Sequence, residues 1–140
     1  MNELRSGKDA TIITSETMAE QSMAAAEKLA QAKIDIRVIS VSSGEASCID
    51  LITNAAIETG ALVTVEEENN INILKDVVTN ILSEITQVAI LHITVVKPDI
   101  PADIESKMDD TNANIQDISY AVKRVLAKKI ARGVLGSPEQ

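Results

Sequence analysis

The sequence predicts an α/β fold, a three-layer αβα sandwich around a mostly parallel sheet. One observation is the alternation along the chain of short runs rich in β-branched residues with longer runs whose apolar residues recur every three or four places. Such alternation makes parallel strands joined by helical crossovers. Another is that the strand-like runs are nearly continuous in apolar residues, as strands covered on both faces must be. No linker separates two halves and no repeat is visible, so residues 1–133 read as one domain and 134–140 as a flexible tail.

Each element has its own signal. DATIIT (9–14) reads as a buried strand, and IDIRVISV (34–41) as a second, with Ile34, Ile36 and Val38 alternating with Asp35 and Arg37. Between them, Met18, Ser22, Ala25, Ala26 and Leu29 mark one helical face. Ser15 or Thr17 is expected to accept from the free N–H groups of its first turn, with Glu16 at the positive end of the dipole. CIDLITNAAIETG is a helix closed by Gly60, the residue that best tolerates a left-handed C-terminal cap. ALVTVEE is a third strand and INILKDVVTNILSEI a helix with Ile73, Val77, Ile81 and Ile85 on one stripe. QVAILHITVV (87–96) is a fourth strand. KPDIPADIESKMDDTNAN, with two prolines and many acids and amides, reads mainly as loop. In NIQDISYAVKRVLAKKIAR, Ile115, Ile118, Val122 and Val125 face inward along a final helix.

Composition narrows the function. The chain has 140 residues, 45% of them hydrophobic and 24% charged, with a net charge of −8. Acidity argues against nucleic acid, which needs clustered cations and stacking platforms, and Tyr120 is the only aromatic residue. The basic KRVLAKKIAR run is read as a solvated helix face. No apolar run is long enough for a membrane span. MNELRSGKDA lacks the apolar core of a signal peptide, and the single Cys48 cannot build a disulfide framework. A cytoplasmic protein without membrane or nucleic-acid partners is expected.

Candidate chemistry is sparse. There is no GxxxxGK loop and no GxGxxG after the first strand. SSGEAS after the second strand is a βα turn with at most a weak anion cradle. His92 sits mid-strand with no second histidine, which argues for a hydrogen-bonded or solvated ring and against a metal ligand. Cys48 is read as a small hydrophobe at a helix start. The pointed feature is Glu66, Glu67 and Glu68. Alternation along a strand sends neighbours to opposite faces, so the three cannot converge if the strand persists. If it ends at Glu66, the others lie at the carboxyl edge, where open α/β sheets bind ligands. Three adjacent like charges favour solvation and a structural role.

DATIITSETMAEQSMAAAEKLAQAKIDIRVISV followed by ETGALVTVEE resembles the C-terminal domain of transketolase-like, thiamine-diphosphate-dependent enzymes. That group includes transketolase, deoxyxylulose-phosphate synthase and the β subunits of 2-oxo-acid dehydrogenases. The resemblance runs through Ala25, Ala26, Glu27, Leu29 and Ala30, then Ile34, Arg37, Val38 and Ile39, then Thr59 to Glu67. ISYAVKRVLAKK resembles the family's last helix, and LRSGKDATII its opening edge strand. The loops differ. Ser15 and Glu16 stand where the family has a glycine, and Ser43, Gly44, Glu45, Ala46, Ser47 and Cys48 replace its T-[IV]-K-P-L-D. Glu68 replaces a histidine, and Asn72, Ile73, Leu74 and Lys75 replace a glycine-rich turn.

The resemblance implies a mixed five-stranded sheet with one antiparallel edge strand. It also implies a chain with no cofactor of its own, because thiamine diphosphate and Mg²⁺ belong to other domains of the parent enzyme. The expected function is then non-catalytic: a C-terminal domain or small subunit that assembles a ketol transferase, as part of a homo-oligomer. Its partners would be the thiamine-diphosphate-binding domains or subunits. The expected contact surface is the carboxyl edge at residues 42–48 and 66–75, with Ser43, Gly44, Glu45, Glu66, Glu67, Glu68, Asn69 and Asn72. The alternative is an independent α/β module binding a small anionic ligand or a protein partner. A self-sufficient enzyme would need a nucleophile, base and oxyanion set that the sequence does not display.

Overall fold

The structure, a computed structural model, describes residues 2–41, 48–67, 73–83, 88–95 and 104–135, with the backbone alone at 2, 48, 73, 104–111 and 132–135. Five strands, β1 (Asn2–Arg5), β2 (Ala10–Ser15), β3 (Ile36–Val41), β4 (Ala61–Glu67) and β5 (Ala89–Val95), form one sheet in the order β1-β3-β2-β4-β5. β1 pairs antiparallel with β3 and the other pairs are parallel. This is the mixed sheet with an antiparallel edge that the resemblance implied.

Among the described residues, four α-helices cover it: α1 (Ala19–Gln31), α2 (Cys48–Thr59), α3 (Ile73–Ile81) and α4 (Ile104–Leu135). Strand alternation assigns them to faces. Ala61, Val63 and Val65 of β4 pack with Ala25, Ala26 and Leu29 of α1 and Ile118, Val122 and Val125 of α4. Leu62 points the other way, to Ile52, Ala55 and Ala56 of α2 and Leu74 and Val78 of α3. Every residue of β4 is buried, as expected of an interior strand covered on both sides.

The buried stripe of α3 is Leu74, Val78 and Leu82, the last just past the helix end; Val77 and Ile81 are only half buried. The expected stripe is thus displaced by one position. Both rows of α3 are apolar, and the sheet selects the one facing Leu62 and Ile90.

Two further expectations are corrected. The Ser15 or Thr17 cap does not form. A 3₁₀ turn (Glu16–Met18) precedes α1, and Ser15 Oγ instead meets Thr17 Oγ1 at 3.2 Å. The segment 97–114, read mainly as loop, is helical from Ile104 onward. Its acids suit the positive end of the helix dipole, and Ile104, Met108 and Ile115 continue the helical spacing beneath the turn-forming residues. α4 also runs on to Leu135; residues 136–140 lie outside the described residues.

The end of α1 is a Schellman motif: Lys33 N–H donates to Ala30 O at 3.0 Å and Ile34 N–H to Leu29 O at 3.0 Å. Lys33 occupies the left-handed position, φ 67°, usually held by glycine. Gly60 fills the equivalent place after α2 at φ 70°, its N–H bonded to Ala56 O.

Candidate functional site

The amino edge of the sheet is closed by cations on backbone carbonyls. Arg5 Nη1 donates to Ile36 O at 2.6 Å, Arg37 Nε to Gly7 O at 3.1 Å and Lys129 Nζ to Asp9 O at 3.1 Å. Arg37 also pairs with Glu58 at 2.7 Å. Below these, Thr11 and Thr59 hydroxyls meet at 2.9 Å, and Thr59 donates to the Ala55 or Ala61 carbonyl. Among the described residues, these cations and hydroxyls are spent on holding strand starts and loops together.

The carboxyl edge is acidic. Glu66 and Glu67 end β4 at 3% and 7% exposure. Like-charge repulsion had favoured solvation; instead alternation separates them across the sheet and both are buried. Glu66 follows Leu62 and Thr64 toward α2 and α3, and its Oε1 accepts the backbone N–H of Leu74. That N–H belongs to the first turn of α3, where no intrahelical acceptor exists. The carboxylate therefore acts as a cap supplied from the neighbouring strand.

Glu67 follows Val63 and Val65 toward α1 and α4, and its Oε1 has no hydrogen-bond partner. Among the described residues, Gln21 Oε1 and Ser22 Oγ of α1 are the other buried side-chain atoms in that condition. All three belong to the α1/α4 side. Ser43, Gly44, Glu45, Glu68, Asn69 and Asn72 lie outside the described residues. Among the described residues, no group of three or more His, Cys, Asp or Glu side chains gathers as metal ligands.

A second polar cluster lies on the α2/α3 face near the free edge of β5. The register sets Thr64 opposite His92 and Glu66 opposite Thr94. Thr64 Oγ1 lies 2.7 Å from His92 Nδ1. Lys128 reaches the strand from α4, donating to Ile90 O at 3.0 Å. Burial, then Lys75 and then Lys128, lowers the His92 pKa from its ordinary value. The sequence places His92 mid-strand as a hydrogen-bonded or solvated ring, and the half-exposed ring bonded to Thr64 fits that reading. Its lysine neighbours have no sequence signal, because they depend on the β4–β5 register and on α4 crossing beside it.

The fold and these sites define a three-layer α/β domain with an antiparallel edge strand, whose carboxyl-edge acids include one helix cap and one unpaired buried oxygen. The model of the transketolase C-terminal domain family matches residues 1–114, and the chain belongs to that family. Among solved structures, one described as "Split gene transketolase, inactive beta4 tetramer" is similar, with a TM-score of 0.71 and 27% identity. The match covers 91% of this chain and 42% of that one, so this chain spans less than half the length of its structural relative. No curated protein sequence matches this chain closely enough to add a further relative. No described helix is long and apolar enough to cross a membrane.

Proposed function

We propose that this chain is a non-catalytic assembly unit, the C-terminal domain or small subunit of a thiamine-diphosphate-dependent ketol transferase in carbohydrate metabolism. The observation that carries this reading is the coverage: residues 1–114 match a family of C-terminal domains, yet the chain spans 42% of a transketolase chain. In this reading, thiamine diphosphate and Mg²⁺ are held by the remaining domains, and the working protein is a cytoplasmic oligomer. The neighbour described as a β4 tetramer supports association within such assemblies, as a property of that protein.

The contact surface is the carboxyl edge after β3 and β4, continued along α2. Ile49 and Ile57, at 51% and 68% exposure, lie on the same outer side of that helix. Large apolar side chains on the surface are common singly, but two on one side of a helix, with Thr53 between them, offer a partner two apolar anchors. Glu66 and Glu67 support this edge from beneath, and Glu67 has an acceptor left to offer.

Affinity capture of the tagged chain from a lysate of its source tests this. Recovery of a polypeptide carrying thiamine-diphosphate domains near one-to-one, lost in Ile57→Asp without a change in melting temperature, is the expected result. Recovery of the folded chain alone would overturn it and favour an independent binding module.

A further inference from the structure

The two edges of the sheet are protected in different ways. β1 is short, carries Glu3 and Arg5, and shifts register between them. A charged, irregular edge strand is a poor template for a further strand. β5 has none of these devices. Its sequence, AILHITV, contains no Lys, Arg, Asp or Glu, and it pairs with β4 in unbroken register from Ala89 to Val95. Among the described residues, no strand lies beyond it.

Parallel pairing decides which backbone groups of β5 face that open side. Ala89 N–H donates to Gly60 O, so Ala89, Leu91, Ile93 and Val95 turn their N–H and C=O toward β4. Ile90, His92 and Thr94 turn theirs outward. The side chains along this edge are only half covered. Leu91 and Ile93 lie on the α1/α4 side, Ile90 and His92 on the α2/α3 side.

Lys128 of α4 occupies the outward row, where its Nζ donates to Ile90 O at 3.0 Å. The residue is exposed and takes no part in the core. Its ammonium and alkyl stem sit where an added strand would have to lie, about 4.8 Å from β5. A strand arriving there would also take the charge out of water, and β5 itself brings no carboxylate to meet it.

We propose that Lys128 is a charge guard on the β5 edge, and that removing its charge lets β5 pair antiparallel with β5 of a second copy. The strand is suited to pair with itself. A two-fold axis at His92 sets Leu91 of each copy opposite Ile93 of the other, and Ile90 opposite Thr94. These are aliphatic and β-branched pairs, which stabilise neighbouring strands. The outward N–H and C=O groups of His92 then meet their equals in the other copy. The guard concerns β5 and α4, whereas the assembly reading rests on the carboxyl edge and α2.

Sedimentation velocity over a concentration series tests this on the intact chain and on Lys128→Ala, Lys128→Met, Lys128→Arg and Lys123→Ala. Lys123, also exposed on α4, controls for the loss of one charge. NMR amide exchange is read along β5 in each. Lys128→Ala and Lys128→Met are expected to tighten self-association about tenfold, the effect of one charge-assisted hydrogen bond. Exchange of the Ile90, His92 and Thr94 amides should slow as concentration rises, while Leu91 and Ile93, already bonded to β4, change little. Lys128→Arg and Lys123→Ala should match the unaltered chain. Self-association of Lys128→Ala and Lys128→Met no tighter than that of the unaltered chain would overturn the proposal. So would association that leaves the three outward amides unprotected. Neither result bears on partner capture through Ile57, so the two readings are separable.

Discussion

Glu66 Oε1 accepts the backbone N–H of Leu74, joining the end of β4 to the first turn of α3. The bond is buried and ionic on the acceptor side, so removing it exposes a helix N–H to an apolar site. Glu66→Ala is expected to lower stability by about 2 kcal/mol, the range for losing a cap and a charged hydrogen bond. Glu66→Gln keeps an acceptor and should lose less than half of that. Urea denaturation measures both, and equal losses would show that acceptor geometry is irrelevant.

Glu67 makes the contrasting case. Its Oε1 is buried without a partner, and such an oxygen pays a desolvation cost with no return. Glu67→Met should raise the stability of the isolated chain by ~1 kcal/mol. If the oxygen serves a partner, the same variant should weaken capture. A variant that is less stable would mean that the carboxylate is satisfied in solution.

Lys33 and Gly60 both hold left-handed positions after helices, at φ 67° and 70°. Lys33→Gly should stabilise by about 0.5–1 kcal/mol, because relief of the Cβ clash exceeds the entropy cost of glycine. Gly60→Ala should destabilise by ~1 kcal/mol from conformation alone, since the added Cβ would meet Lys129 Cε at an ordinary 3.6 Å. Thermal unfolding of the two variants should move in opposite directions.

Burial, and next the neighbouring lysines, depress the His92 pKa below the ordinary 6.5. The unfolded chain therefore binds more protons than the folded one between the two pKa values. This histidine's contribution to stability is complete above pH 6.5 and is lost as pH falls toward the folded value. His92→Gln should flatten the pH dependence of the urea midpoint in that window. An unchanged slope would place the effect on other groups.

The sequence by itself determined the succession of elements and most of the core. Ala25, Ala26 and Leu29 of α1 and Ile118, Val122 and Val125 of α4 are legible because each helix, with its fixed period, must put its own set on one side. It also determined the family, since the TGALVTVEE strand and the helix before it are contiguous and strongly patterned. The antiparallel β1 came from the resemblance, because a four-residue strand has too little pattern to read. Helical continuity from Ile104 to Ile115 was hidden by acids and amides that serve turns as readily as first helical turns. The site depended on what sequence order cannot supply. Alternation separates Glu66 from Glu67, but burial, the Leu74 N–H and the unpaired Oε1 follow from where α3 and α4 settle on the sheet. The pairing of Thr64 with His92 needs the β4–β5 register, and the nearness of Lys75 and Lys128 needs two helices from opposite faces to meet at one edge. Local periodicity fixes what each segment can be, whereas hydrogen bonding and charge act across contacts that exist only once the chain has closed on itself.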